Sequence, residues 1–372
     1  MKIAIIGHKR IPGREGGIEV VVEELATRMA ESNDVTVYNR FKTGVKKIKK
    51  YKGVHIVTVP TIQSKKLDAV IATFFASVHA IFCHYDVIHY HGIGPSMMLI
   101  IPHLFGVKTI VTVHGLNYKT PKWQGVGAKA MLFGERITAK YADSIITLSR
   151  EQQQYFIKKY NRTSHYIPNG TVVQKLLDAN IITKKWGLVK NGYVLFISRV
   201  VPGKGLENLI DAYKNVHTTL PLIIAGDSQY MDGYRNQIID RAKEDERIRF
   251  IGFVEGATLA ELYSNAYLFV FPSEAEGMPM CLLEALSYNT PCLVSDIPEN
   301  LEVGRKYVRT FRTKDTADLT ENLDDCINRG GRIKDNSRLY ISNEYSWDKI
   351  VRNTIEVYKG VRKKTDNPNA NI

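Results

Sequence analysis

Two carboxylates bracket a short turn in the segment EAEGMPMCLLEA. Glu276 lies in a loop after the strand-like LFVFPS, whereas Glu284 lies within the helix-like CLLEALS that follows. A loop residue and a helix residue do not share one helical face, so the pair suits two parts of one extended ligand. An ionised carboxylate accepts hydrogen bonds and fits vicinal hydroxyls, such as those of a sugar or a ribose. Between the two, the opening amides of the helix, around Cys281 to Leu283, can face a phosphate. The competing reading makes Glu284 an exposed helix residue.

Further groups with usable chemistry also follow strand-like runs. Ser198 and Arg199 close YVLFIS, and PGKG brings Lys204 to the start of the next helix. Two cations beside a helix N-terminus form a site for a diphosphate, each charge pair contributing roughly 4 kcal/mol at 4 Å and an effective dielectric near 20; otherwise they are a surface Arg and a surface Lys. In GHKRIPGREGGIE, Gly16 and Gly17 precede a helix and let backbone N–H groups approach an anion, or they form a tight turn. The pattern is neither G-x-G-x-x-G nor G-x-x-x-x-G-K-[ST], which argues against dinucleotide and P-loop sites. His89, His91 and His114 end different strands without a carboxylate-rich D-x-D, so no metal is expected; His91 and His114 read as cleft lining and His89 as structural.

These residues need strands whose carboxyl ends lie together. Strand candidates in the first half are KIAIIG, DVTVYN, VHIVTV, DVIHYH, KTIVTVH and SIITLS; in the second they are YVLFIS, LPLIIAG, IRFIGF, LFVFPS and PCLVS. Helix-length segments alternate with them, such as IEVVVEELATRMAE, whose Val21, Leu25 and Met29 share a face. The expected fold is α/β, with two doubly wound domains that bind ligands at strand carboxyl ends across a cleft. A chain of 372 residues suits two such domains of about 150 to 190 residues each. The join is placed at SHYIPNGTVV, giving domains 1–171 and 172–345, with a final helix, about 346–364, that can pack on either half.

Apolar content of 44% and charged content of 24% exclude a disordered chain, apart from the closing TDNPNANI. Cys83, Cys281, Cys292 and Cys326 form no C-x-x-C pair, and MKIAIIGHKR reads as a buried strand rather than a leader, so a reducing cytoplasm is expected. Net charge is uneven: residues 1–175 carry 25 Lys+Arg against 11 Asp+Glu, a net of +14, and the remainder carries 26 against 27, a net of −1. The run RFKTGVKKIKKYKG supplies much of the excess without the pattern of a nucleic-acid reader, leaving a solvated loop or a patch for anionic lipid. LDAVIATFFASVHAIFC (Leu67 to Cys83) reads as a buried or membrane-facing helix rather than a span, because Asp68, Thr73, Ser77 and His79 interrupt it.

Taken in order, GG near the start, VHG at Val113 to Gly115, IPNG at Ile167 to Gly170, SR…PGKG and the E-x7-E of EGMPMCLLE resemble the retaining, metal-independent nucleotide-sugar glycosyltransferases of the GT-B fold. PGREGGIE, DVIHYHG, VTVHGL, KW and GER most resemble bacterial enzymes of surface-polysaccharide synthesis, some rhamnosyltransferase-like. The resemblance implies that Glu276 binds donor-sugar hydroxyls with the backbone of Gly277, Met278 and Pro279, and that Glu284 holds the ribose. It places Arg199 and Lys204 on the diphosphate, Gly16 and Gly17 on the phosphates from the other domain, and His114 beside the transferred sugar. The base is expected near Gly226 and Gly252 to Val254, including Phe253. Here the loop reads E-G-M-P-M-C where the family has E-G-F-G-[LM]-P, so the backbone meets the sugar differently.

The expected activity is transfer of a hexose or deoxyhexose from a nucleotide-diphosphate sugar to a saccharide or polyprenyl-linked acceptor, with retention and without cofactor or metal. The basic half, the Leu67 to Cys83 helix and LNYKTPKWQG, with Lys119, Lys122 and Trp123, suggest an anionic or lipid-linked acceptor at the inner membrane surface. Rival readings are a glycoside hydrolase using the two glutamates, a nucleotide-sugar epimerase and a non-catalytic nucleotide-sugar sensor.

Overall fold

Short apolar runs separated by helices become buried parallel strands when helices cover both faces of a sheet. The computed structural model describes residues 1–13, 16–62, 64, 67–116, 126–227, 232–333 and 335–360. They form two units: Met1–Gly170 with the chain from Trp347 onward, and Thr171–Ser346. Lys119, Lys122 and Trp123 lie outside the described residues.

In the first unit the strands are β1 (Lys2–Ile6), β2 (Asp34–Arg40), β3 (Lys50–Tyr51), β4 (Val54–Val59), β5 (Val87–His91), β6 (Thr109–Val113), β7 (Ser144–Thr147) and β8 (His165–Tyr166). Their order is β3-β4-β2-β1-β5-β6-β7-β8. Only the β3–β4 pair is antiparallel, the others running parallel. Strand order reverses between β1 and β5, which opens a crevice at their carboxyl ends. The helix Trp347–Gly360 returns to this unit, burying Trp347, Ile350, Val357 and Tyr358 in a cluster with Ile3, Val21, Leu25 and Val35.

The helix Asp68–Ile81 packs through small residues, burying Ala72, Thr73, Ala76, Ser77 and Ala80. Its opposite face leaves Phe74 43% and Phe75 42% exposed. Among the described residues, no helix is long and apolar enough to cross a membrane.

The second unit is a six-stranded, wholly parallel sheet: β9 (Val194–Ile197), β10 (Leu222–Ala225), β11 (Ile248–Gly252), β12 (Leu268–Phe271), β13 (Cys292–Ser295) and β14 (Val308–Phe311). Its order, β11-β10-β9-β12-β13-β14, puts the reversal between β9 and β12. Both run as uninterrupted buried apolar residues, VLFI and LFVF. β14, absent from the strands expected, is an edge strand whose VRTF buries only Val308 and Phe311. Four residues with two polar ones give too weak a periodic signal to read in sequence.

Backbone contact joins the loops that leave β9 and β12. The Glu274 amide donates to the Gly203 carbonyl at 3.0 Å. Gly205 lies at φ +70°, where a Cβ would stand 2.0 Å from the Pro272 carbonyl oxygen, whereas Gly203, at φ +87°, faces open space. Both alanine substitutions force a left-handed residue, at roughly 1–2 kcal/mol, but only Gly205→Ala also drives the loops apart. Urea unfolding should therefore show a clearly larger loss for Gly205→Ala than for Gly203→Ala; equal losses would mean that the contact yields freely.

Candidate active site

The site-bearing loops leave the carboxyl ends of adjacent strands. After β12, Lys204 Nζ donates to Glu276 Oε1 at 2.5 Å, and Ser273 Oγ donates to the same oxygen at 2.6 Å. The side chains are nearly enclosed, Lys204 15% and Glu276 10% exposed. The ammonium also lies 5.9 Å from the centre of the Phe271 ring. Glu276 Oε2 accepts no hydrogen bond among the described residues, so one oxygen fixes the carboxylate while the other remains available to hydroxyl donors.

Support for this loop comes from behind. Ser295 Oγ donates to the Ser273 carbonyl at 2.5 Å, and Asn300 Nδ2 donates to the Ser295 carbonyl at 3.1 Å and to its Oγ at 2.9 Å. Ser273, Ser295 and Asn300 are all fully buried. Sequence reasoning missed these three, since serine and asparagine carry no periodic signal and the chain joins residues from three separate segments.

Glu284 is half-buried in the helix Met280–Ser287, so the exposed-residue reading does not hold. Its Oε2 accepts from the Tyr263 hydroxyl at 3.3 Å, and that hydroxyl also lies 3.3 Å from the Cys281 carbonyl. Burial raises Tyr263 far above the ordinary tyrosine range, so it keeps its proton and donates. Burial pushes the Cys281 thiol up to about 12, leaving it a neutral neighbour and not a nucleophile.

Leu283 corrects an expectation. Its amide donates to the Pro279 carbonyl at 3.0 Å, and its side chain is fully buried. The helix begins at Met280, one residue before the expected start, so Leu283 is the first residue whose N–H finds a carbonyl four residues back. The amides left to face an anion are those of Cys281 and Leu282, ahead of it.

Arg199 follows β9, is exposed, and has no side-chain partner among the described residues. Gly226 ends β10 at φ +134°, and a Cβ there would stand 1.8 Å from the Ser198 carbonyl oxygen. Its amide donates to the Gly252 carbonyl at 2.8 Å. After β11, Phe253 is 62% exposed, and Val254 is half-buried. Glu276, Arg199, Gly226 and Phe253 thus follow four consecutive strands in the sheet, a row spanning roughly 14 Å at about 4.8 Å per strand. Gly277, Met278 and Pro279 form the turn into the helix, with the Met280 amide on the Met278 carbonyl at 3.0 Å.

In the first unit, Gly16 is extended at φ −169° and precedes the helix Gly17–Met29. A Cβ on Gly16 would meet Glu19 Oε2 at 2.7 Å, whereas Gly17 faces open space. Buried Glu19, overlooked in sequence, accepts the Lys9 amide at 3.0 Å. This helix start therefore carries a carboxylate of its own, and the open side of Gly17 is what it offers to a ligand.

His91 also needs correction: expected to line a ligand site, it is fully buried beneath half-buried His114. Their rings stack at 5.1 Å, with His91 Nδ1 and His114 Nε2 2.9 Å apart. Because side chains two apart on a strand share a face, His89 lies 4.2 Å from His91, its ring nitrogens 2.7 Å from the Tyr358 and Thr112 hydroxyls. His8 Nε2 pairs with Asn39 Oδ1 at 3.2 Å. Among the described residues, no group of three His, Cys, Asp or Glu side chains is arranged to hold a metal.

Burial lowers His8 and His89 to about 3 and His114 to about 4, and brings His91 well below its ordinary value. The folded chain keeps these rings neutral, while the unfolded chain takes up protons below about pH 6.5. Their contribution is complete above that pH and is lost as pH falls towards 4, by up to roughly 1.4 kcal/mol per ring per unit. The urea midpoint should fall between pH 7.5 and pH 5, with a shallower fall for His89→Asn. A midpoint unchanged over that interval would contradict a neutral buried cluster.

Each unit matches a glycosyltransferase family. Residues 15–175 match Glycosyltransferase Family 4, and residues 178–347 match Glycosyl transferases group 1. The chain belongs to the GT-B glycosyltransferases, built from two parallel-sheet α/β domains. It is 28% identical to O-antigen chain mannosyltransferase B of Escherichia coli, over 73% of this chain and 74% of that protein. Identity is 27% to UDP-Gal:alpha-D-GlcNAc-diphosphoundecaprenol alpha-1,3-galactosyltransferase of Escherichia coli, over 76% and 74% respectively. Sucrose-phosphate synthase from Thermosynechococcus elongatus shares the fold, with a TM-score of 0.81 at 18% identity over 96% of this chain and 98% of that one.

Proposed function

We propose that the chain transfers a hexose or deoxyhexose from a nucleotide-diphosphate sugar to a saccharide or lipid-linked acceptor, with retention, in cell-surface polysaccharide synthesis. One observation carries the reading: Glu276 is braced through one oxygen by Lys204 and Ser273, beside exposed Arg199, at the strand reversal of the second unit. Glu276 Oε2 accepts from the sugar's hydroxyls, and Glu284, aligned by Tyr263, accepts from the ribose. Lys204 keeps two N–H donors for the diphosphate, where Arg199 adds a second cation. The names of the two Escherichia coli relatives, one of the O-antigen chain and one of alpha-D-GlcNAc-diphosphoundecaprenol, support the acceptor class.

As the bond from the anomeric carbon to the phosphate oxygen breaks, Arg199, Lys204 and the amides of Cys281 and Leu282 stabilise charge on the leaving diphosphate. A phosphate oxygen takes the acceptor hydroxyl's proton, and the acceptor oxygen bonds to the anomeric carbon on the face being vacated. No divalent ion is required, because the chain supplies the positive charge. Without a role in bond-making, Glu276 does not need the freedom of a nucleophile, and its clamp is compatible with that. The reading places the chain in the cytoplasm, peripheral on the inner membrane face.

With a UDP- or GDP-hexose and a saccharide acceptor, Lys204→Ala and Glu276→Gln should each lower kcat/KM by about 10²–10³, in the range for loss of one preorganised electrostatic group. Ser273→Ala, which removes only a brace, should cost about tenfold or less. Excess chelator should leave the rate unchanged, and the product anomer, read by NMR, should match the donor's. Release of free sugar without acceptor product would establish a hydrolase; an altered nucleotide-sugar would establish an epimerase; binding without turnover would establish a sensor.

A further inference from the structure

At the carboxyl end of the first sheet, one face carries a row of polar side chains among aliphatic ones. Asn39 continues the alternation of Val35 and Val37 on β2, and His89 and His91 continue that of Val87 on β5, so all lie on the face packed against the helix Trp347–Gly360. Gly7, at φ +119°, lets the chain leave β1 close against β5: a Cβ there would stand 2.5 Å from the His91 carbonyl oxygen. His8 follows directly and is 1% exposed. After burial, His89 and His114, His8 is the next group that lowers the proton affinity of His91, which marks it as a neighbour.

The proton positions in this row follow from one amide. Asn39 Nδ2 donates to the Ile11 carbonyl at 2.8 Å and Oδ1 accepts from the Ile11 amide at 2.9 Å, which fixes the end of the carboxamide that is oxygen. His8 Nε2, 3.2 Å from that oxygen, therefore carries a proton, and because burial keeps the ring neutral, His8 Nδ1 is a bare acceptor. His8 Nδ1 and His91 Nε2 are both buried without a hydrogen-bond partner among the described residues. His89 serves neither, since its two nitrogens meet the Tyr358 and Thr112 hydroxyls. His91 and His114 are also held neutral by burial, so their 2.9 Å contact contains a single proton. On His91 Nδ1, that proton would leave His91 Nε2 bare and set two buried lone pairs on neighbouring strands. On His114 Nε2, it leaves His91 protonated at Nε2, a donor complementary to the bare His8 nitrogen in a weakly screening interior.

We infer that His8 and His91 are positioning residues that hold His114 as its Nε2–H tautomer, so that His114 Nδ1 meets a ligand hydroxyl as a hydrogen-bond acceptor. All three rings then carry their proton on Nε2, and the row ends on the Asn39 oxygen. His114 is half-buried, and its Nδ1 has no hydrogen-bond partner among the described residues, so this nitrogen is what the row offers to a ligand. A fixed acceptor selects a group that presents a hydroxyl hydrogen and disfavours one with only an ether or carbonyl oxygen at that point. The inference rests on the transferase reading above for which hydroxyl His114 meets, whereas the proton positions belong to the ligand-free chain.

Nitrogen-15 NMR of the histidine-labelled full chain, without ligand, reads the tautomers directly, with the His91 and His114 signals assigned by their loss in single His→Gln variants. Both rings should show a protonated Nε2 and a bare Nδ1; a protonated His114 Nδ1, or an even mixture, would overturn the inference. His91→Leu removes the acceptor of the His114 proton and should bring in the Nδ1–H form. His91→Asn, whose Oδ1 can accept in place of Nδ1, should keep Nε2–H. His8→Leu should also raise the Nδ1–H fraction of His114, although no hydrogen bond joins the two rings. In transfer assays His91→Leu should lower kcat/KM by about tenfold, the scale of one hydrogen bond, and His91→Asn should recover most of it. Equal losses in the two His91 variants with the His114 tautomer unmoved would reduce His91 to packing and overturn the inference. Where a variant does not fold, the tautomers of the unaltered chain decide. The expected tautomers in a chain that transfers no sugar would leave the row standing and sink the transferase reading. Transfer by a chain whose His114 is protonated at Nδ1 would sink this inference alone.

Discussion

In the second unit, an ammonium and a carboxylate, each largely withdrawn from water, meet across the loops that leave β9 and β12. Removing either partner of such an enclosed pair strands a charge, at about 3–5 kcal/mol. The glycines make the meeting possible, because only a residue without Cβ at Gly205 lets the PGKG turn touch the Pro272 carbonyl. Ser273, Ser295 and Asn300 then carry the constraint back to the helix Pro298–Gly304. The carboxylate is therefore fixed from the side and from beneath, with one oxygen left to act.

The first unit handles charge differently. Buried His8, His89 and His91 and half-buried His114, in or just beyond β1, β5 and β6, are held neutral by desolvation. Much of the large positive excess lies elsewhere, between β2 and β4. The neutral, hydrogen-bonded histidines and the cationic run thus occupy different parts of the unit. The same division explains why the helix Asp68–Ile81 combines a small-residue inner face with phenylalanines outside. Close approach to the sheet requires the first, and on the second the Phe74 and Phe75 rings meet edge to face at 5.5 Å while staying partly exposed.

Much of the second unit's site was legible because its groups lie on short, covalently fixed spacings. Arg199 and Lys204 flank one turn, while Glu276 and Glu284 flank another, and each turn follows an uninterrupted apolar strand. Leu283 was misjudged by one helical position, since the helix begins at Met280 and the fourth amide closes its own turn. His91 was misjudged because alternation along a strand gives the face a residue points to, not what covers that face. Glu19, Ser273 and Asn300 escaped notice because their significance lies in partners 10, 3 and 5 residues away, or in another segment altogether.

From the sequence alone came the alternation of strands and helices, the two-domain division, the charge asymmetry and the residues proposed here to bind a nucleotide-sugar. All are properties of composition, period and local spacing. Folding decided which strands became neighbours, and hence that the Lys204 and Glu276 turns share one crevice. It also decided that Glu276 offers a single oxygen and that His91 lies against His114. Those outcomes depend on distances between segments remote in the chain, where packing and desolvation act together and no local pattern records the result.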